Sequence, residues 1–101
     1  MDPEIPDIFI ADVVVSTAGR DQGTFFYVIQ EEQQYLYLVN GKDRPLDKPK
    51  HKKRKHVQKV LRSETRVADK LRQGDKVLNG ELRRDLADIC QNMQSNNLGG
   101  S

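Results

Sequence analysis

The stretch DVVVSTAGRDQGTFFYVI, residues 12–29, decides the fold of this chain. It opens on a β-branched run, Val13 to Val15, and closes on an aromatic and β-branched run, Thr24 to Ile29, and both compositions favour strands. Between them stands AGRDQG, residues 18–23, whose two glycines signal a turn. The stretch therefore predicts two strands joined by a glycine-containing turn.

Further strands follow at close spacing. YLYLV, residues 35–39, predicts a third strand with leucines on one face and tyrosines on the other. Asn40-Gly41 accepts the positive φ values of a two-residue hairpin turn, so residues 42–48 are predicted as a fourth strand. Pro45 marks that strand as an edge or an irregular one. Residues 56–61 can supply a last strand, and such short strands with tight turns favour a small barrel.

Two helices are predicted after the strands. Ser63 can cap the first, with Glu64 in its first turn, and Gly74 ends it. Asn79 can cap the second. The second helix carries an apolar stripe at spacings of four, three and four residues: Leu82, Leu86, Ile89 and Met93.

Charge is distributed unevenly along the chain. The net charge is +2, but residues 42–59 hold nine Lys or Arg against two Asp, a local balance of +7. The remainder of the chain therefore sums to −5. Such asymmetry favours a localised contact with a polyanion, since the acidic remainder limits indiscriminate binding. The run KHKKRK, residues 50–55, is too charged for a core and is predicted as an exposed basic loop.

Residues 12–29 resemble a KOW motif, in which a hydrophobic strand, a basic glycine-containing loop and a second strand follow one another. Gly23 matches the characteristic glycine of that motif. A longer part of the chain, from about Asp12 to Leu86, is similar to the small KOW-domain RNA-binding proteins of Gram-positive bacteria. These proteins are similar to KOW-containing large-subunit ribosomal proteins of archaea and eukaryotes. The matching pieces are AGRD (18–21), LVNG (38–41), PKHKK (49–53), His56 and NGELR (79–83).

The resemblance implies an SH3-like β-barrel that binds structured RNA, with ribosomal RNA as the expected target. The predicted fold class is thus mainly β with C-terminal helices, an SH3-like (KOW) barrel followed by two short α-helices. The predicted division is an extended lead-in (1–10), the barrel with its basic loop (11–62), a helical appendage (63–94) and a flexible tail (95–101).

Carried over residue by residue, the resemblance makes Arg20 a loop contact and residues 50–55 contacts to the RNA backbone. Gln22 departs from the pattern, since the family loop usually has a lysine or arginine there, which leaves Arg20 as the main cation of the loop. Gly19 and Gly23 are predicted to shape the turn. The predicted RNA-binding set is Arg20, Lys42, Arg44, Lys48, Lys50, His51, Lys52, Lys53, Arg54, Lys55 and His56.

Several alternatives stay open from the sequence. The basic run can be a solvated loop without a partner, and Gly23 can serve the hairpin alone. Outward-facing tyrosines can stack on bases or simply cover the sheet. The helix pair suggests a helix-turn-helix with Arg83 and Arg84 on DNA, but its connection is longer than that motif uses. Helices that pack on the barrel or dock on a protein are therefore preferred.

Catalysis, metals and cofactors are not expected. His51 and His56 lie among cations without a cysteine pair or carboxylate cluster, and no phosphate-binding glycine loop is present. The single cysteine, Cys90, permits no internal disulfide, which fits a reducing compartment. No apolar run is long enough for a membrane span, and no signal peptide is recognisable. The sequence predicts a non-enzymatic, cytoplasmic, ribosome-associated RNA-binding protein, monomeric when free, with ribosomal-protein contacts as a further expectation. The alternative is a protein-interaction adaptor that uses the barrel and an acidic helix pair.

Overall fold

The structure, a computed structural model, describes residues 7–99, with side chains in the second helix described as far as Met93. It is a mainly β domain with C-terminal helices, so the predicted fold class is confirmed. The elements are β1 (Asp12–Ser16), β2 (Phe25–Glu31), β3 (Tyr35–Val39), β4 (Lys50–Lys53), β5 (Val57–Arg62), α1 (Arg66–Gln73) and α2 (Asn79–Gly99), with a 3-10 turn (Arg54–His56) between β4 and β5.

The five strands form one antiparallel sheet in the order β4-β3-β2-β1-β5. Two irregularities bend it. Val60 is an extra residue of β5 opposite β1, and Ile29 is an extra residue of β2 opposite β3. An extra residue bends its strand and increases the local twist, so these positions let the sheet curl around one of its faces. The result is a small barrel-like fold.

At the centre of the sheet, both faces are buried. Val13 and Tyr27 face one cluster, which includes residues of α1 and α2, while their neighbours Val14 and Phe26 face the other. Burial on both faces explains why β1 is a continuous apolar run instead of an alternating one. The second cluster fills the curled interior and consists of Ile8, Val14, Phe26, Val28, Leu36, Leu38 and Val57.

The N-terminal lead-in is described only from Asp7, and its first six residues lie outside the described part of the chain. Ile8 is fully buried in the curled interior, so this segment is tethered to the core. Phe9, in contrast, is 49% exposed.

The fourth strand differs from the prediction, because residues 42–48 form a loop and β4 begins at Lys50. The reason is a local competition for backbone donors. The side-chain Oδ1 of Asn40 accepts from the backbone N of Lys42 (2.9 Å) and of Arg44 (3.0 Å). Asparagine side chains stabilise turns in this way, at the expense of ladder hydrogen bonds.

The same loop is fastened to the start of α2. Asn79 Oδ1 accepts from the backbone N of Leu46 at 2.8 Å, so this side chain holds the loop instead of capping the helix. Gly41 lies against the first turn of α2 with a φ of +77°. A Cβ atom at Gly41 would overlap the carbonyl oxygen of Asn79. Glycine is therefore required here by both conformation and space.

Four of the six residues of the predicted basic loop form the edge strand β4. Lys52 lies opposite Leu36 and Lys50 opposite Leu38, while His51 and Lys53 alternate with them and point to the other face. The prediction of a loop was wrong for residues 50–53, because a lysine at the edge of a small barrel can join a strand and extend its ammonium to the rim.

The helix boundaries also differ in detail. Thr65, not Ser63, caps α1, since Thr65 Oγ1 accepts from the backbone N of Ala68 at 3.2 Å. Ser63 is buried, and its hydroxyl is 2.8 Å from the Tyr27 hydroxyl. Gly74 ends α1 in the left-handed conformation, as predicted.

Helix α2 begins with a contact that resembles a capping box. Glu81 Oε2 accepts from the backbone N of Leu78 at 3.3 Å, and Leu78 O accepts from Leu82 N. The helix has 21 residues and continues through Gly99, so it is longer than the short helix predicted and includes most of the predicted tail, 95–101. Neither proline nor glycine interrupts residues 81–98, which leaves nothing to stop the helix earlier.

A buried polar network joins the helices to the sheet. The Tyr27 hydroxyl donates to Asp85 Oδ2, and the Thr65 hydroxyl donates to the same oxygen at 2.9 Å. Burial and the neighbouring Asp85 carboxylate raise the pKa of Tyr27 to about 12, so the phenol stays protonated and keeps donating. The two helices thus share one core with the barrel, as the preference for packed helices predicted.

Candidate nucleic-acid interface

The structure divides the eleven predicted RNA-binding residues into two groups. Four of them contact carboxylates of the same chain: Lys50, His51, Lys52 and Arg54. The others have no ion pair within the described part of the chain: Arg20, Lys42, Arg44, Lys48, Lys53, Lys55 and His56. Neutralisation of the basic segment is therefore partial.

The first group is centred on Asp21, in the turn between β1 and β2. Asp21 Oδ1 accepts from Ser16 Oγ at 2.7 Å and from Lys52 Nζ at 2.8 Å. Lys50 Nζ lies 2.9 Å from Asp21 Oδ2. The Lys52 ammonium also donates to the carbonyl of Ala18 at 2.8 Å, and its side chain is only 8% exposed. Lys52 therefore fastens the turn to β4 and has little surface left for a phosphate.

The same contacts set the charge of Asp21. Burial by itself raises the pKa of this carboxyl, but the Lys52 and Lys50 ammonium groups and the Ser16 hydroxyl outweigh burial and hold the pKa well below its ordinary value of 3.8. The carboxylate is consequently ionised throughout the neutral range. A carboxylate whose pKa is lower in the folded protein than in the unfolded chain stabilises the fold at pH values above its pKa in the unfolded chain. This contribution is lost as the pH falls toward its pKa in the folded protein.

We expect Asp21→Asn to lower the free energy of unfolding by about 3 kcal/mol, because it leaves the buried Lys52 ammonium without its carboxylate. Asp43→Asn is the matched control, since Asp43 is exposed and should change stability by less than about 0.5 kcal/mol. Urea denaturation measures both. Between about pH 5 and pH 3 the wild type should lose stability more steeply than Asp21→Asn, whose residue 21 does not titrate. Parallel pH profiles for the two proteins would contradict this assignment.

Arg54 holds together three parts of the barrel end. Its Nε donates to Glu32 O at 3.0 Å, its Nη1 donates to Ile8 O at 3.3 Å, and its Nη2 lies 3.8 Å from Glu31 Oε1. The guanidinium therefore contributes to the attachment of the N-terminal segment as well as to the charge of the surface.

The turn between β1 and β2 has the predicted shape. Gly19 and Gly23 both have positive φ, +86° and +90°. Gly23 N donates to Ser16 O at 2.8 Å and Gln22 N donates to Gly19 O at 3.2 Å, which closes the turn and leaves Arg20 exposed. The turn prediction is confirmed.

Arg20 faces a cleft that the sequence did not reveal, here called the turn cleft. It has a volume of about 300 Å³ and separates the β1–β2 turn from the loop before β4. Arg20, Arg44 and Lys50 contribute three cations to it, against the carboxylates of Asp21 and Asp43. Its lining residues are Arg20, Asp21, Thr24, Phe26, Asp43, Arg44 and Lys50.

A second concavity lies at the end of β4, here called the strand-end pocket. Its volume is about 280 Å³, and Gln34, Lys53, Arg54 and Lys55 line it. Lys53 and Lys55 are exposed. Cations thus border both ends of the edge strand, an arrangement that suits an extended polyanion.

Sequence reasoning missed two carboxylates that organise the site. Asp21 binds lysines about thirty residues away, and Glu32 lies 3.1 Å from His51 Nε2. An acidic residue within the turn is a visible sequence feature, and it could have indicated that Asp21 pairs with a lysine. Which lysines it pairs with depends on the position of β4, which was predicted incorrectly.

No family model matches the chain, and no curated protein matches it. Among residues 7–99 no cluster of three histidine, cysteine or acidic side chains is placed to hold a metal ion. No helix in the same range combines the length and apolar character needed to cross a membrane.

Proposed function

We propose that this protein binds structured RNA through the cations that border β4. The observation that carries the proposal is the division of the basic segment. The inward-facing Lys50 and Lys52 of this segment are paired with Asp21. Six other Lys and Arg side chains have no carboxylate partner among the described residues: Arg20, Lys42, Arg44, Lys48, Lys53 and Lys55. A surface that keeps so many unpaired cations favours a polyanionic partner.

The chemistry of these side chains suits a phosphate backbone. Arg20 and Arg44 can each present two N–H donors to one phosphate, whereas Lys53 and Lys55 act as point charges. Each neutralised phosphate releases counterions, which supplies affinity without sequence specificity. The shape of the RNA, read by the rigid barrel edge, then determines which RNA is bound.

The finer part of the proposal is that the RNA is ribosomal and the protein cytoplasmic. The resemblance of residues 12–86 to KOW-containing ribosomal and RNA-binding proteins supports this choice. We expect the protein to co-sediment with large ribosomal subunits at low salt and to be released at high salt, because its contacts are mainly electrostatic. Sucrose-gradient sedimentation of a native extract, with immunodetection across the fractions, measures this distribution.

The sedimentation control is the same extract treated with ribonuclease, which should move the protein to the top of the gradient. A large-subunit peak that persists in high salt would contradict electrostatic binding. A protein that stays at the top of the gradient at low salt would contradict ribosome association.

A protein-docking role is the second candidate, and Leu78 favours it because this leucine is 56% exposed at the start of α2. The nearby acidic residues support protein docking less strongly than Leu78 does. Glu81 is 2.9 Å from Lys70 Nζ, and Asp85 is engaged with Tyr27 and Thr65, so both carboxylates have partners in their own chain. Protein partners that remain bound after ribonuclease treatment would support docking over RNA binding.

A further inference from the structure

Three aromatic rings lie together on the outer face of β3 and β4. The rings of Tyr35 and His51 are stacked, with centroids 4.2 Å apart and planes 15° apart. The ring of Tyr37 is 4.8 Å from that of His51 and tilted by 35°. The three rings form a patch, here called the ring platform, on a sheet of only five strands.

The ring platform is not part of either core. Tyr35 and Tyr37 point away from the buried Leu36 and Leu38, as the alternation of β3 requires. The cluster under α1 and α2 includes Tyr27 and Val39 but none of the three rings. The platform therefore remains on the outer surface, with the His51 side chain 46% exposed.

Charge is arranged unequally around the platform. Glu32 lies on one side, 3.1 Å from His51 Nε2, and its carboxylate raises the pKa of the Tyr37 phenol. Lys53, directly opposite Tyr35 in the sheet, and Lys55 lie toward the strand-end pocket. A phosphate is therefore favoured at the Lys53 and Lys55 end and disfavoured beside Glu32.

The strand-end pocket has a suitable size for a small group. Its volume of about 280 Å³ lies just below the range of roughly 300–1,000 Å³ typical of drug-sized ligands. Gln34 offers both a donor and an acceptor there, which can pair with the edge of a base.

We propose that the ring platform, Tyr35, Tyr37 and His51, stacks unpaired nucleobases of single-stranded or bulged RNA, whose phosphates bind Lys53 and Lys55. This inference rests on the proposed RNA-binding function and adds the class of nucleotide that this face recognises. Bases inside a duplex expose only their edges, so a ring surface selects nucleotides whose faces are accessible. The turn cleft, which has no such ring patch, contacts backbone irrespective of pairing.

The test uses the full chain and two RNAs: a fully paired hairpin closed by a non-nucleotide linker, so that it has no unpaired base, and the same hairpin with a bulge of three unpaired nucleotides. In Tyr35→Val and Tyr37→Val the β-branched replacement preserves strand propensity. Each variant should bind the bulged hairpin about 5- to 100-fold more weakly than the wild type, since aromatic stacking contributes substantially per base. Affinity for the perfect hairpin should change by less than about twofold. Fluorescence anisotropy at fixed salt measures both, and circular dichroism checks the fold.

Phe9→Val is the matched control, because Phe9 is an exposed ring outside the platform, and it should leave both affinities unchanged. Equal losses of affinity for both hairpins, or no loss of affinity for the bulged one, would contradict base stacking on the ring platform but not RNA binding itself. A wild type that binds neither hairpin would overturn RNA binding itself, and the platform with it.

Discussion

Gly41→Ala is expected to lower the free energy of unfolding by about 4 kcal/mol, enough to unfold much of a marginally stable domain. Two costs combine. A non-glycine residue at a φ of +77° is strained by roughly 1–3 kcal/mol. The added Cβ also overlaps the carbonyl oxygen of Asn79, and relieving that overlap must displace the first turn of α2, at a similar cost. Urea denaturation followed by circular dichroism measures the loss.

Gly23→Ala is the matched control for Gly41→Ala. Gly23 has a similar φ of +90°, but a Cβ built there meets no atom within 4 Å. Only the conformational cost remains, so the loss should be about 2 kcal/mol, half of the loss at Gly41. Equal losses at the two glycines would mean that the loop before β4 does not press on α2 as described.

The second large effect concerns RNA affinity. Replacing Arg20, Arg44, Lys53 and Lys55 together by glutamine is expected to weaken binding to structured RNA by about 600-fold at 0.1 M salt. Each phosphate contact on a single strand contributes a counterion-release factor of about five at that concentration, and four contacts multiply. None of the four side chains has an ion pair in the described residues, so the fold should be unaffected. Equilibrium binding by filter retention or anisotropy measures the change.

The matched control removes four exposed cations elsewhere, Arg66, Lys76, Arg83 and Arg84, by the same change to glutamine. Both variants have the same net charge, −2 compared with +2 in the wild type. The control should lose much less affinity, because its cations lie on or beside the helices and none of them lines the turn cleft or the strand-end pocket. If the control loses as much as the test variant, binding is non-specific attraction to total charge. Loss in the control alone would favour nucleic-acid contact through the helices.

The first three strands were predictable because their signals are local. Val13 to Val15, the glycines of the turn and the alternating leucines and tyrosines of β3 each determine their own conformation within a few residues. The fourth strand was not predictable in this way. Its start depends on Asn40, whose side chain closes the preceding loop locally, and also on Asn79, which holds the same loop from a position 33 residues further along the chain.

The candidate site was predictable in composition but not in orientation. The sequence identified the basic segment and Arg20, yet the alternation of β4 turns Lys52 inward to Asp21 and Lys53 outward. Alternation alone cannot show which lysines are neutralised, because the partner carboxylate is in a different hairpin. The division into structural and unpaired cations therefore depends on tertiary structure.

The slope of log affinity against log salt concentration, for the wild type and the four-glutamine variant on one structured RNA, tests the central claim most directly. If about five cations contact single-stranded phosphates, the wild-type slope should be about −3.5, and the variant slope should fall to about −0.7. A wild-type slope near zero, or identical slopes for the two proteins, would show that the cations around β4 do not contact the RNA backbone.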